Sequence, residues 1–117
     1  HSGFTIVVVE PGLLWIPGFL RFLDRRMHQH YDFPGVKELP STYWKRQMAV
    51  TFVDEPEAID NRYELGVENL LWSTDFPHPC CNWPNAQAKV AEMFKDMPDE
   101  ETDKITWGNG ARMYGFA

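Results

Sequence analysis

Three short apolar runs, each leading into an acidic side chain, constrain this chain more than any other feature. Thr5-Ile6-Val7-Val8-Val9 ends on Glu10, Met48-Ala49-Val50-Thr51-Phe52-Val53 ends on Asp54 and Glu55, and Leu70-Leu71-Trp72 reaches Asp75 through Ser73 and Thr74. The first run is β-branched without polar alternation, the pattern of a strand buried on both faces of a parallel sheet. Helical signals separate the runs. Strand and helix alternating three times predicts an α/β fold of parallel βα units. In such folds the strands' C-terminal ends lie together, and polar residues there make sites.

The first helix is expected over residues 17–30, with Pro17 at its first position and Phe19, Leu20, Phe22, Leu23 and Met27 at helical spacing. Phe33-Pro34-Gly35 breaks it, and a further helical turn is expected around residues 43–46. Pro56 opens a short helix over residues 57–65, for which Gly66 is the stop. After the third strand, Asn85 is placed to cap a helix carrying Ala88, Val90, Ala91 and Phe94, ended by Pro98. A last helical segment over residues 100–114 is expected to be interrupted by Gly108-Asn109-Gly110. No repeat, low-complexity tract or linker divides the chain, so a single domain over residues 1–117 is expected.

Composition excludes several classes of function. A hydrophobic content of 44%, with 15% aromatic residues, argues against disorder despite a net charge of -6. That charge, with a pI near 5.1, argues against nucleic-acid binding, which needs a basic face to replace counterions. No apolar stretch approaches the roughly 18 residues that span a bilayer, and no charged-then-apolar leader opens the chain, so a soluble, cytoplasmic protein is expected. Cys80 and Cys81 are adjacent, a spacing that rarely forms a disulfide and fits no C-x-x-C pattern. They read as reduced, structural thiols.

The strongest candidate site is the stretch NLLWSTDFPHPCCNW at residues 69–83. A strand there ends on Asp75 and meets a loop stiffened by Pro77, Pro79 and Pro84, with His78 in it. The bland alternative is that Asp75 caps a turn and His78 is a surface loop residue. Trp15 and Trp83 flank the strand ends, where each either walls an apolar pocket or packs in the core. His28 and His30, two apart on a helix, point in different directions and make poor co-ligands. Asn109 and Arg112 read as structural.

Val-Val-Glu-Pro-Gly-Leu-Leu-Trp-Ile-Pro at residues 8–17, Leu-Leu-Trp-Ser-Thr-Asp-Phe-Pro-His at 70–78 and Trp-Gly-Asn-Gly-Ala-Arg-Met-Tyr-Gly at 107–115 together resemble the C-terminal third of the amidohydrolase-related family. These are metal-dependent β/α-barrel hydrolases and decarboxylases, among them aminocarboxymuconate-semialdehyde decarboxylase. The resemblance implies that Glu10 closes the sixth strand of a (β/α)8 barrel, Val53-Asp54 the seventh and Asp75 the eighth. It also implies that Asp75 reaches a catalytic divalent metal, zinc or similar, and positions or deprotonates a water. Glu10, Trp15, His78 and Trp83 then line the pocket of a small carboxylated or cyclic substrate.

The departures from that pattern matter equally. The family's first-strand His-x-His pair and fifth-strand histidine are not in the chain, and Glu10-Pro11-Gly12 stands where many relatives carry His-Gly-Gly. Asp75 is thus the one metal ligand expected, against the three or four protein ligands of a complete site, and the chain alone is expected to bind metal weakly. An eight-unit barrel takes about 250 residues, whereas three units leave sheet edges unpaired. The chain is therefore expected to work with the remainder of a barrel or as a homo-oligomer. A truncated relative without catalysis, acting as an association module or surviving as a gene remnant, is the alternative.

Overall fold

In the computed structural model, which describes residues 3–29 and 34–116, three strands form one parallel sheet in the order β1-β2-β3. β1 (Ile6–Val8) pairs with β2 (Met48–Phe52), and β2 with β3 (Leu70–Trp72), so that Val8, Val50 and Leu70 lie side by side. The crossover from β1 to β2 contains α1 (Trp15–Gln29) and α2 (Pro40–Gln47). Between β2 and β3 lie α3 (Pro56–Ile59), α4 (Arg62–Leu65) and a 3-10 turn at Val67–Asn69. After β3 come α5 (Ala86–Met93), α6 (Asp99–Asp103) and α7 (Asn109–Tyr114), the last two joined by a widened π-type turn, Lys104–Gly108.

The core lies where the helices cover the sheet. Leu13, just before α1, and Ile16 and Leu20 on it meet Trp44, Val50, Phe52, Leu65, Leu70, Phe94 and Ile105 in one cluster. Ala49 and Val50 point to opposite faces of β2 and both are fully buried, so the central strand is covered on both sides. β1 differs. It forms an edge, with Ile6 and Val9 exposed, because only β2 pairs with it among the described residues. The expectation that this run is buried on both faces is corrected accordingly: β-branched composition reports the environment a strand is suited to, and among the described residues β1 is paired on one side only.

Buried asparagines tie the layers together. Asn69 donates through Nδ2 to the carbonyl oxygens of Trp44 (3.3 Å), Lys45 (3.0 Å) and Met48 (2.6 Å), satisfying the end of α2 where the chain turns into β2. Asn109 donates to the carbonyls of Val67 (2.8 Å) and Leu70 (2.9 Å), fastening α7 to the start of β3. Gly66 stops α4 at φ 96°, and a Cβ there would sit 2.3 Å from Asn69 Oδ1. Only glycine fits both the left-handed backbone and the close approach.

The helices depart from expectation in detail. α1 begins two residues before Pro17, which still falls in the first turn, where a missing N–H costs nothing. The expected end of that helix at His30 lies outside the described residues, as do Phe33, His1 and the side chain of His28. The helix expected over residues 57–65 is broken at Asp60-Asn61, side chains that compete for backbone hydrogen bonds and favour turns. α5 starts after Asn85 without a side-chain cap bond, and Pro98 precedes α6. Gly108-Asn109-Gly110 does not interrupt the last helix: Gly108 has helical φ/ψ of -62° and -41°, and the Asn109 anchor holds the segment against β3.

Candidate active site

Because the strands are parallel and in register, their exits share one edge of the sheet. Glu10 lies two residues beyond β1 and Asp75 three residues beyond β3. Both residues adopt left-handed backbone conformations, with φ of 52° and 57°. For a side chain with a Cβ this costs about 1 kcal/mol or more, and such conformations concentrate where a site dictates the turn. Polar neighbours hold each turn. The Glu10 N–H donates to Thr51 Oγ1 on the central strand (2.9 Å). The Asp75 N–H donates to Ser73 Oγ (3.2 Å), and the Phe76 N–H to Thr74 Oγ1 (3.3 Å).

Beyond Asp75 the chain folds back on itself. The His78 N–H donates to the Asp75 carbonyl (2.8 Å), the Cys81 N–H to the His78 carbonyl (3.1 Å), and the Asn82 N–H to the Thr74 carbonyl (3.0 Å), closing the loop at its base. This winding brings His78 Nδ1 to 3.0 Å from Asp75 Oδ2. The Asp75 side chain is mostly covered, at 18% exposure, whereas His78 is open, at 71%.

Glu10 crosses the gap between the two outer strands to join them. One ligand atom each from Glu10, Asp75 and His78 all lie within 4.8 Å of one another. The Glu10 carboxyl is held above its ordinary value, first by its hydrogen bond to Asp75, then by desolvation and the Asp75 charge, with His78 pulling the opposite way. A hydrogen bond between two carboxyls requires a proton, which is why this contact raises the Glu10 carboxyl. A dication removes the same repulsion by displacing that proton. Two carboxylates and an imidazole form a mixed oxygen and nitrogen donor set that suits zinc or manganese. The residues present therefore fit a divalent metal. They offer three donors, where Asp75 alone was anticipated from the sequence.

The other anticipated residues fall elsewhere. Asp54, the third strand-end acid, turns to Lys89 (3.3 Å) and stays outside the cluster. Glu55 accepts from the Leu13 N–H (2.7 Å) and so steadies the approach to α1. Trp15 is half exposed on the first turn of α1, donates through Nε1 to the Pro11 carbonyl (2.8 Å) and packs on Phe19. It lines an apolar groove of about 330 Å³ between α1, α2 and β1, with Val8, Ile16 and Trp44. Trp83 is exposed and meets Phe76 edge-on at 5.7 Å between ring centroids, beside Asp75 in the chain. Cys80 is exposed and Cys81 half-buried, and both are free thiols. Arg112 donates to the Glu68 carbonyl (2.9 Å), a structural contact like that of Asn109. No helix among the described residues is long and apolar enough to cross a membrane.

Comparison with known proteins follows the same geometry. A family model described as Amidohydrolase matches residues 1–116. The chain is similar to 5-carboxyvanillate decarboxylase from Sphingomonas paucimobilis, with a TM-score of 0.75 and 26% identity, over 95% of this chain and 33% of that one. It shares the fold of a dihydroxybenzoic acid decarboxylase from a Polaromonas species, solved with bound manganese and the inhibitor 2-nitroresorcinol (TM-score 0.74, 21% identity, 96% and 34% coverage). A 2,6-dihydroxybenzoate decarboxylase in complex with 2,6-dihydroxybenzoate gives a TM-score of 0.73 at 21% identity, over 95% and 34%. The chain thus spans about a third of the length of these structures. No curated protein matches it significantly.

Proposed function

This chain belongs to the amidohydrolase family, and from that premise we propose that it forms the last three βα units of a (β/α)8 barrel and one wall of a metal-assisted decarboxylase site for a small aromatic acid. The observation that carries the proposal is the meeting of Glu10, Asp75 and His78 at the C-terminal ends of parallel strands, where barrel enzymes place their chemistry. The 26% identity to a 5-carboxyvanillate decarboxylase supports the reaction class.

Asp75, Glu10 and His78 would hold the divalent ion, which when bound draws electron density from a substrate's oxygen atoms. Asp75 is the residue best placed to do so, because its carboxylate is covered and oriented by two neighbours. The imidazole of His78, bonded through Nδ1, fixes the Asp75 carboxylate in one rotamer. In the metal-free chain the Glu10 carboxyl favours its protonated form against Asp75, and a bound ion would displace that proton, so the proton delivered to the ring carbon that loses its carboxylate would come from a water held against these carboxylates. Phe76 and Trp83 form an exposed aromatic edge beside Asp75, suited to a flat ring. The apolar groove beside β1 is covered by the remainder of the barrel or by a second copy of the chain.

The test uses the intact protein containing this segment, supplied with manganese or zinc and a panel of hydroxylated benzoic acids, with carbon dioxide release as the readout. Asp75→Asn is expected to lower turnover by about two orders of magnitude while circular dichroism shows the fold retained. Turnover equal to the parent's at normal stability, or hydrolysis of an amide or lactone without carbon dioxide release, would overturn the reading.

A further inference from the structure

The two cysteines lie outside the chemistry described above, yet the same loop that positions His78 carries them. Cys80 is exposed, Cys81 is half-buried, and they are the only cysteines in the chain. The Cys81 N–H donates to the His78 carbonyl, and the His78 N–H to the Asp75 carbonyl, so one continuous ladder of backbone bonds runs from the thiols to the site. We propose that Cys80 and Cys81 form a vicinal dithiol that hydrogen peroxide closes reversibly to a disulfide, and that closure moves His78 away from Asp75.

The chemistry balances within the chain and one peroxide. The Cys80 sulfur attacks a peroxide oxygen and the O–O bond breaks. A sulfenic acid forms, and water leaves with the thiol proton. The Cys81 sulfur then attacks the Cys80 sulfur. An S–S bond forms, the S–O bond breaks, and a second water carries away the hydroxyl and the Cys81 proton. The sulfurs lose two electrons and the peroxide gains them. Exposure makes Cys80 the thiol that reacts with peroxide, and its half-covered neighbour is the resolving one.

Local geometry makes this bond a switch and not a staple. Adjacent Cα atoms are about 3.8 Å apart across a trans peptide, shorter than the roughly 4.4–6.8 Å of unstrained disulfides. Closure must therefore twist the Cys80–Cys81 peptide, and strained disulfides are the readily reduced, regulatory ones. The twist reorients the Cys81 N–H and breaks its bond to His78. Pro79 lies between His78 and Cys80 with its φ fixed, and Pro77 and Pro84 restrict the loop on either side, so the loop has little slack to absorb the change. It passes instead to His78 and its contact with Asp75.

This inference rests on the loop and not on the decarboxylase reading, and the experiment reads the loop directly. The protein is treated with stepwise hydrogen peroxide and followed by intact mass, thiol titration and the imidazole resonances of His78. The expected product carries no intermolecular disulfide and lacks two hydrogens, its two thiols become untitratable and return with dithiothreitol, and the His78 resonances shift and recover together with them. Cys81→Ser is expected to take up oxygen at Cys80 without losing two hydrogens and to leave His78 in place. Oxygen addition or an intermolecular disulfide as the main product in the parent overturns the proposal. So does a vicinal disulfide that leaves the His78 resonances unmoved.

Discussion

Glu10 is the residue at which the site's electrostatics can be read most directly. Its carboxyl is raised because the protonated form bonds to Asp75, so the bonded state is fully present below the ordinary value of 4.5 and is lost as pH rises through the higher folded value. Glutamine at this position keeps a donor toward Asp75 at every pH. Thermal unfolding of Glu10→Gln is therefore expected to match the parent below about pH 4.5 and to lie above it at neutrality, with the gap opening as pH rises. A constant difference across the range would mean that the two carboxyls do not share a proton. Asp75 was legible as a site residue because it ends a strand. Its conversation with Glu10 was not, since 65 residues of chain and a left-handed turn at each carboxylate separate the sequence from that contact.

At the level of elements, the strands owe their positions to composition and the helices to their anchors. Leu70-Leu71-Trp72 is a strand where the apolar run predicts one, and β2 falls within one residue of its expected end. The last helix instead depends on one buried amide. Asn109→Ala leaves the Val67 and Leu70 carbonyls without their donor, and a loss of about 2 kcal/mol in chemical denaturation is expected. Gly66→Ala acts differently, forcing a Cβ against Asn69 Oδ1 in a left-handed backbone, and about 2 kcal/mol or more is expected from the clash and the strain together. Gly66 was readable as a stop signal. The π-type turn at Lys104–Gly108 was not, because it answers to packing of the helix on β3 and not to local propensity.

Across the whole molecule, three strands leave an open edge and a good deal of uncovered apolar surface. Phe4, Val9, Leu14, Phe19 and Phe22 are all about half exposed or more, and Phe19 also lines the apolar groove. Such a surface favours a partner, so sedimentation of the 117-residue chain on its own is expected to show species larger than a monomer at micromolar concentration. A compact monomer would show that the exposed face is tolerated in water. The sequence by itself determined the α/β class, the three strands and the shared edge at which their acids emerge, because apolar run length and turn residues act over a few positions. Only the tertiary structure decided which acids meet. Register set Glu10 and Asp75 across from each other, left-handed turns aimed them, Lys89 drew Asp54 away, and the closed loop returned His78 to complete the cluster. These are contacts between distant segments, fixed by how the units pack, and no local pattern encodes them.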